Sequence, residues 1–225
     1  MGLARLIHGS SQPAGKGITI GTPRRYEALM SLPVVGLRRS LRALVAAGEA
    51  RPGDRVLDVG CGTGAFARLL AEAVGPEGEV VGVDAAPEMV AYASRRARTT
   101  ANCRFQVGAA ESLAFPAGRF DVVVCSLVLH HLPEELRLPA LREMRRVLGP
   151  SGRLLVAEFR VAGGHAWHLL SAVTVGPAMA HRVPRLEPLV AEAGFADVRS
   201  GDVPPWLHYV RAARQGGHEA LGAEA

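Results

Sequence analysis

From residue 55 to residue 159 the chain alternates short runs of β-branched and aliphatic residues with segments of helical period. RVLDVG (55–60), EVVGVD (79–84), CRFQVG (103–108), RFDVVVCSLVL (119–129) and GRLLVAEF (152–159) read as strands. Between them, AFARLLAEAVG, APEMVAYASRRARTT and PEELRLPALREMRRVLG read as helices, the second opened by Pro87 and the third carrying Pro139. Runs such as VVVC are apolar on both faces, as strands of a parallel sheet covered by helices on both sides must be. ADVRSGDV and PWLHYVRAAR supply two last strands. The predicted fold is α/β: a doubly wound, mostly parallel seven-stranded sheet with helices on both faces.

The flanks differ from this core. Residues 1–48 read as an N-terminal arm and helical cap, with two helices split near Pro33 to Gly36. Residues 49–213 form the main domain, with 160–185 a lid insertion, and 214–225 a frayed tail. A chain of 225 residues fits one such domain. No window reaches the roughly 18 apolar residues of a membrane span, and the start, MGLARLIHGSSQPAGKG, lacks the apolar stretch of a secretory signal. A cytoplasmic location is therefore expected. Three cysteines without paired spacing suggest neither a disulfide framework nor a zinc site. The net charge of +5 lies wholly in residues 1–50, where seven basic groups face Glu27 and Glu49. A solvated helical face accounts for that excess; peripheral contact with an anionic membrane is the other reading.

The first strand runs into Gly60-Cys61-Gly62-Thr63-Gly64, at the turn where open α/β sheets bind ligands. Gly60, Gly62 and Ala65 also fit a loose dinucleotide fingerprint, so the glycines alone leave NAD open. Asp58 argues against it, because a carboxylate two residues before the first glycine would face a pyrophosphate. A cationic ligand would be attracted instead. S-adenosylmethionine carries an ammonium and a sulfonium and no phosphate. Asp84, ending the second strand, stands where nucleoside-binding folds place a ribose-binding acid, with a helix cap as its plain structural alternative.

VLDVGCGTG (56–64), GVDAAPEMV (82–90), GAAESLAFPAGRFDVVVCSLVLHHL (108–132) and REMRRVLGPSGRLLV (142–156) resemble the class I S-adenosylmethionine-dependent methyltransferases, within them the ubiquinone/menaquinone-type small-molecule subgroup. The resemblance implies a Rossmann-like methyltransferase fold over residues 23–200 and S-adenosylmethionine as cofactor. It implies that Gly60, Gly62 and Gly64 line the methionine and ribose, that Asp58 faces the methionine ammonium, and that Asp84, with Ala85 beside it, takes the ribose. Ser126 and Leu127 would line the cofactor through their backbone, and Tyr26 would touch the methionine carboxylate. The family commonly has an acid after the glycine of the third-strand motif, where this chain has Ala109. The adenine contact is then expected from Ala110 and Glu111.

Methyl transfer from a sulfonium is an in-line displacement, so holding the nucleophile near the methyl carbon and excluding water are the main tasks. A base is needed only for a protonated nucleophile, and His131 and His130, just past the fourth strand, are the candidates. The N/D-P-P-Y/F stretch of amino-methylating nucleic acid enzymes is replaced by Ser126-Leu127-Val128-Leu129, and the basic arm lacks interleaved aromatics. No nucleic acid partner and no metal are expected. The expected function is methyl transfer to a small organic acceptor; the alternatives are a non-catalytic S-adenosylmethionine-binding protein and an enzyme acting on a membrane lipid or quinone precursor. The sequence leaves the oligomeric state open.

Overall fold

The computed structural model describes residues 37–160, 185–204 and 207–214, together with Pro23, Arg24 and Glu27. Tyr26, most of the first cap helix, the interior of the 160–185 insertion and the tail beyond Arg214 lie outside the described residues.

The order is α1 (Leu37–Ala47), β1 (Arg55–Val59), α2 (Ala65–Val74), β2 (Glu79–Asp84), α3 (Pro87–Arg96), β3 (Cys103–Val107), β4 (Phe120–Ser126), a 3-10 turn (Leu129–His131), α4 (Glu134–Val147), β5 (Leu148–Phe159), α5 (Leu186–Glu192), β6 (Phe195–Val203) and β7 (Leu207–Arg214). The seven strands form one sheet in the order β3-β2-β1-β4-β5-β7-β6. The pairs among β1 to β5 are parallel, and β7 runs antiparallel to both β5 and β6. Strand order reverses between β1 and β4, so the crevice of a doubly wound sheet opens beyond the carboxyl ends of those two strands.

Each face of the sheet buries a separate apolar cluster. Leu57, Val59, Val81, Val83, Val123 and Val156 pack against α4 and α5 through Leu141, Met144 and Val190. Val56, Val80, Val122 and Val124 pack against α1 and α2 through Leu44, Phe66, Ala67 and Leu70. The alternation of Val56 and Leu57 between the two clusters is the two-residue period of a strand buried on both sides. In α1, Ser40, Leu41 and Leu44 are buried while Arg39 and Arg42 are exposed, an amphipathic stripe that docks the helix on the sheet. Fully burying a leucine such as Leu44 is worth about 1.5–3 kcal/mol.

Boundaries depart from the sequence expectation in two places. The fourth strand ends at Ser126 rather than 129, because Leu127 adopts φ of +60°, a left-handed conformation that no strand continues through. The third predicted helix stops at Val147, and β5 starts at Leu148 rather than 152. Leu148 pairs with Phe120 before an irregularity sets Arg153 opposite Val122. Cys61, Cys103 and Cys125 are free, and burial pushes all three thiols up, that of Cys103 to about 12. Among the described residues no helix is long and apolar enough to cross a membrane, and no cluster of His, Cys, Asp or Glu is placed to hold a metal ion.

Candidate functional site

The site is built at the carboxyl ends of β1 to β5. After Val59 the chain turns sharply: the amides of Gly60 and Cys61 both donate to the Val83 carbonyl of β2, at 2.7 and 3.0 Å. Gly60 has φ of +73°, and a Cβ there would lie 2.2 Å from the Val128 side chain, so only glycine lets β1 and the segment after β4 meet. Gly62, at φ of +52°, differs in that a Cβ would meet nothing within 4 Å; its Cα faces open space. Gly64 packs against Phe105 and Ala93 and precedes α2. Arg68 of α2 donates to the Thr63 carbonyl at 3.0 Å and holds the turn from behind.

Asp58 is 2% exposed. It lies on the sheet face that carries α2, and its carboxylate accepts a hydrogen bond from the Ala67 amide in the first turn of that helix. The helix cap Gly64 offers no side chain, so Asp58 serves that end from the strand below. Its Oδ2 atom is buried with no hydrogen-bond partner among the described residues. Burial, with the nearby Asp84 carboxylate adding to it, pushes the Asp58 carboxyl up to about 7. Asp58 is thus a helix cap through one oxygen and an unpaired acceptor through the other.

Asp84 ends β2, and its two oxygens are each already used once. Oδ2 accepts the Gly62 amide at 2.8 Å and Oδ1 accepts the Ala86 amide at 2.9 Å. Burial raises its carboxyl, and these two amides act against that rise. The helix cap itself is Ala86, whose own side chain makes no cap bond, and Asp84 holds that residue through its amide. Each oxygen keeps a second lone pair for a ligand hydroxyl. Ala85, beside it, is exposed.

The turn after β3 is tied in by the Gly108 amide, which donates to the Asp84 carbonyl at 3.0 Å. Ala109 and Ser112 bridge across this turn, with buried Ala110 and half-buried Glu111 at its tip. After β4, the Ser126 Oγ atom is buried without a partner among the described residues. The Leu127 amide is committed to the Ala157 carbonyl at 2.8 Å, so it is not a donor for a ligand; of the Leu127 backbone the carbonyl is left for that role.

His130 and His131 follow in the 3-10 turn, ring centroids 4.1 Å apart. His130 is 2% exposed and His131 half-buried. The structure separates the two candidates: His130 is turned inward onto Glu158, Nδ1 to Oε2 at 2.6 Å, while His131 is half-buried. Glu158, a lone acid in the run LLVAEF, is expected from the sequence to border this cleft, but its pairing with His130 is not. From the N-terminal segment, Glu27 pairs with Arg68 at 3.8 Å and Arg96 at 3.7 Å and accepts from the Tyr92 hydroxyl. A depression of about 170 Å³ lined by Glu49, Arg153, Asp197, Arg199 and Arg211 lies at the opposite edge of the sheet.

This geometry fits the donor that the fold implies. An orphaned buried carboxylate oxygen behind a glycine turn suits a ligand cation, and the open Cα of Gly62 lets a ligand approach the backbone. Residues 56–152 match the family model described as "Methyltransferase domain". The chain is 38% identical over 143 residues to a ubiquinone/menaquinone biosynthesis C-methyltransferase of Ectopseudomonas mendocina (strain ymp), covering 62% of this chain and 55% of that protein. It is 41% identical over 138 residues to a demethylmenaquinone methyltransferase of Thermus thermophilus, covering 60% and 61%. The chain thus spans about half to three fifths of the length of the curated relatives it matches. The fold is similar to the crystal structure of an S-adenosylmethionine-dependent methyltransferase from Aquifex aeolicus, with a TM-score of 0.69 over 85% of this chain and 98% of the other at 22% identity. Residues 56–152 are thus similar to the methyltransferase-domain family, and the fold is similar to that of an S-adenosylmethionine-dependent methyltransferase.

Proposed function

We propose that the protein transfers a methyl group from S-adenosylmethionine to a small organic acceptor. The Asp58 Oδ2, unpaired among the described residues and buried behind the Gly60–Gly64 turn with Asp84 beside it, carries this reading. When bound, S-adenosylmethionine supplies an electrophilic methyl on sulfur and an ammonium. Asp58 holds the ammonium, directly or through water, and Gly60, Gly62 and Gly64 let the methionine and ribose lie against the backbone. Asp84 accepts from the ribose hydroxyls with the lone pairs that Gly62 and Ala86 leave open. Ala110 and Glu111 serve the adenine in place of the acid missing at Ala109, and Ser126 and the Leu127 carbonyl close the floor toward the acceptor.

His131, the more accessible of the two histidines, takes a proton where the acceptor's nucleophile begins protonated. The Glu27 contacts to Arg68, Tyr92 and Arg96 support an N-terminal cap over the α2 and α3 edge. The quinone methyltransferases among the relatives support a quinone precursor as the acceptor class. The test is incubation of the full chain with S-adenosylmethionine and an acceptor panel that includes quinone precursors, with mass spectrometry of products. Methylated product with S-adenosylhomocysteine supports the reading; bound donor without turnover on any acceptor favours a binding protein instead.

A further inference from the structure

Glu158 is the penultimate residue of β5 and has 1% of its side chain exposed. Both of its oxygens are spent on a single residue: Oε1 accepts the His130 amide at 3.3 Å and Oε2 lies 2.6 Å from His130 Nδ1. Burying a carboxylate and an imidazole together costs several kcal/mol before their bond offsets it, and apolar residues of the same size would fill the space more cheaply. The roles assigned above do not use this pair. It lies directly behind His131, whose ring is tilted 38° against that of His130.

We propose that Glu158 is a positioning residue: acting through His130, it fixes the stance of the His131 ring and sets a buried negative charge behind it, so that His131 accepts the proton of the methyl acceptor. The proposal rests on the methyltransferase reading. The bond to Oε2 selects the His130 tautomer with the proton on Nδ1, because the partner of one ring nitrogen decides which nitrogen is protonated. With His130 neutral, the pair keeps the charge of the carboxylate. That charge favours the cationic form of His131. In the step served, the acceptor's nucleophilic atom bonds to the methyl carbon, the carbon–sulfur electron pair leaves on sulfur as a neutral thioether, and the acceptor's proton passes to His131. Other charged groups bear on the same turn. Arg137 of α4 donates from Nε to the Leu129 carbonyl at 3.1 Å, and Asp58, like Glu158, raises the intervening Cys125 thiol, an effect that burial dominates.

Long-range proton–nitrogen NMR of the histidine rings in the wild-type full chain and in Glu158→Gln tests this. The expected result is His130 carrying its proton on Nδ1 in the wild type, and a His131 titration midpoint lowered by about one unit in Glu158→Gln. His130 protonated on Nε2, or an unchanged His131 midpoint in a folded Glu158→Gln, would overturn the proposal. Should that variant not fold, the wild-type tautomer decides alone. Binding of S-adenosylhomocysteine to both proteins is measured alongside, so that failure of the donor assignment reads out separately.

Discussion

Asp84 joins the end of the second strand to the glycine turn after the first: its Oδ2 accepts the Gly62 amide at 2.8 Å while Oδ1 accepts the Ala86 amide at 2.9 Å. One carboxylate thereby shapes the binding turn and stands at its mouth. Asp58, on the neighbouring strand, raises the charge density of the same corner, and burial is the main reason its carboxyl is pushed up to about 7. Two acids held this close without a cation are a local cost to the fold, and a cationic ligand removes it.

Asp58→Asn should therefore make the ligand-free protein more stable while weakening donor binding. Because the folded carboxyl titrates near 7 against an ordinary 3.8, its contribution is intact below about pH 4 and is lost as pH rises through 7. Asparagine keeps an acceptor for the Ala67 amide without the charge. Thermal melts from pH 4 to 8.5 should show the variant indistinguishable in acid and more stable by about 1–3 kcal/mol above pH 7. A variant less stable at pH 8 would contradict the assignment.

Gly60 and Gly62 share a left-handed backbone but differ in surroundings, so alanine should separate structure from binding. At Gly60 the new Cβ collides with Val128, adding overpacking of about 1–3 kcal/mol to roughly 1–2 kcal/mol of backbone strain. At Gly62 only the strain applies, and the methyl projects where ligand would lie. Urea unfolding should rank Gly60→Ala well below Gly62→Ala, and Gly62→Ala should lose affinity for S-adenosylhomocysteine out of proportion to its stability. Equal stability of the two variants would refute the packing account.

The mostly parallel seven-stranded sheet and the places of the glycine turn and both acids were legible in the sequence because strand and helix periods differ and because glycine and aspartate are expensive in a buried strand unless something requires them. What escaped it is local. Leu127 gives no sign of its positive φ, since leucine is a poor left-handed residue, and so the fourth strand was expected to run to 129. The inward turn of His130 onto Glu158 joins residues 28 apart, a pairing set by sheet register rather than by any spacing in the chain. The division of Asp58 between the Ala67 amide and an unpaired oxygen likewise depends on where α2 lands on the sheet.

His208 of β7 stands in register with Glu158 of β5, with Nδ1 2.9 Å from Asp202 and Nε2 3.0 Å from Glu187, while Arg160 reaches Asp202 at 3.3 Å. Burial works against its charge, but the two carboxylates outweigh burial and its pKa is raised above 6.5. The stability this adds is fully present below 6.5 and is lost as pH rises through the raised value. His208→Gln, which keeps hydrogen bonding without the charge, should flatten the fall in melting temperature between about pH 6 and 8. An unchanged slope would show that the acids do not hold His208 protonated.

The central claim is that the corner formed by Asp58, the Gly60–Gly64 turn and Asp84 binds the methyl donor. Isothermal titration calorimetry of S-adenosylhomocysteine into the full chain, wild type and Asp84→Ala, with the variant's fold checked by circular dichroism, tests it most directly. The account predicts saturable one-to-one binding by the wild type and its loss in a folded Asp84→Ala. No binding by the wild type, or undiminished affinity in the variant, would contradict it.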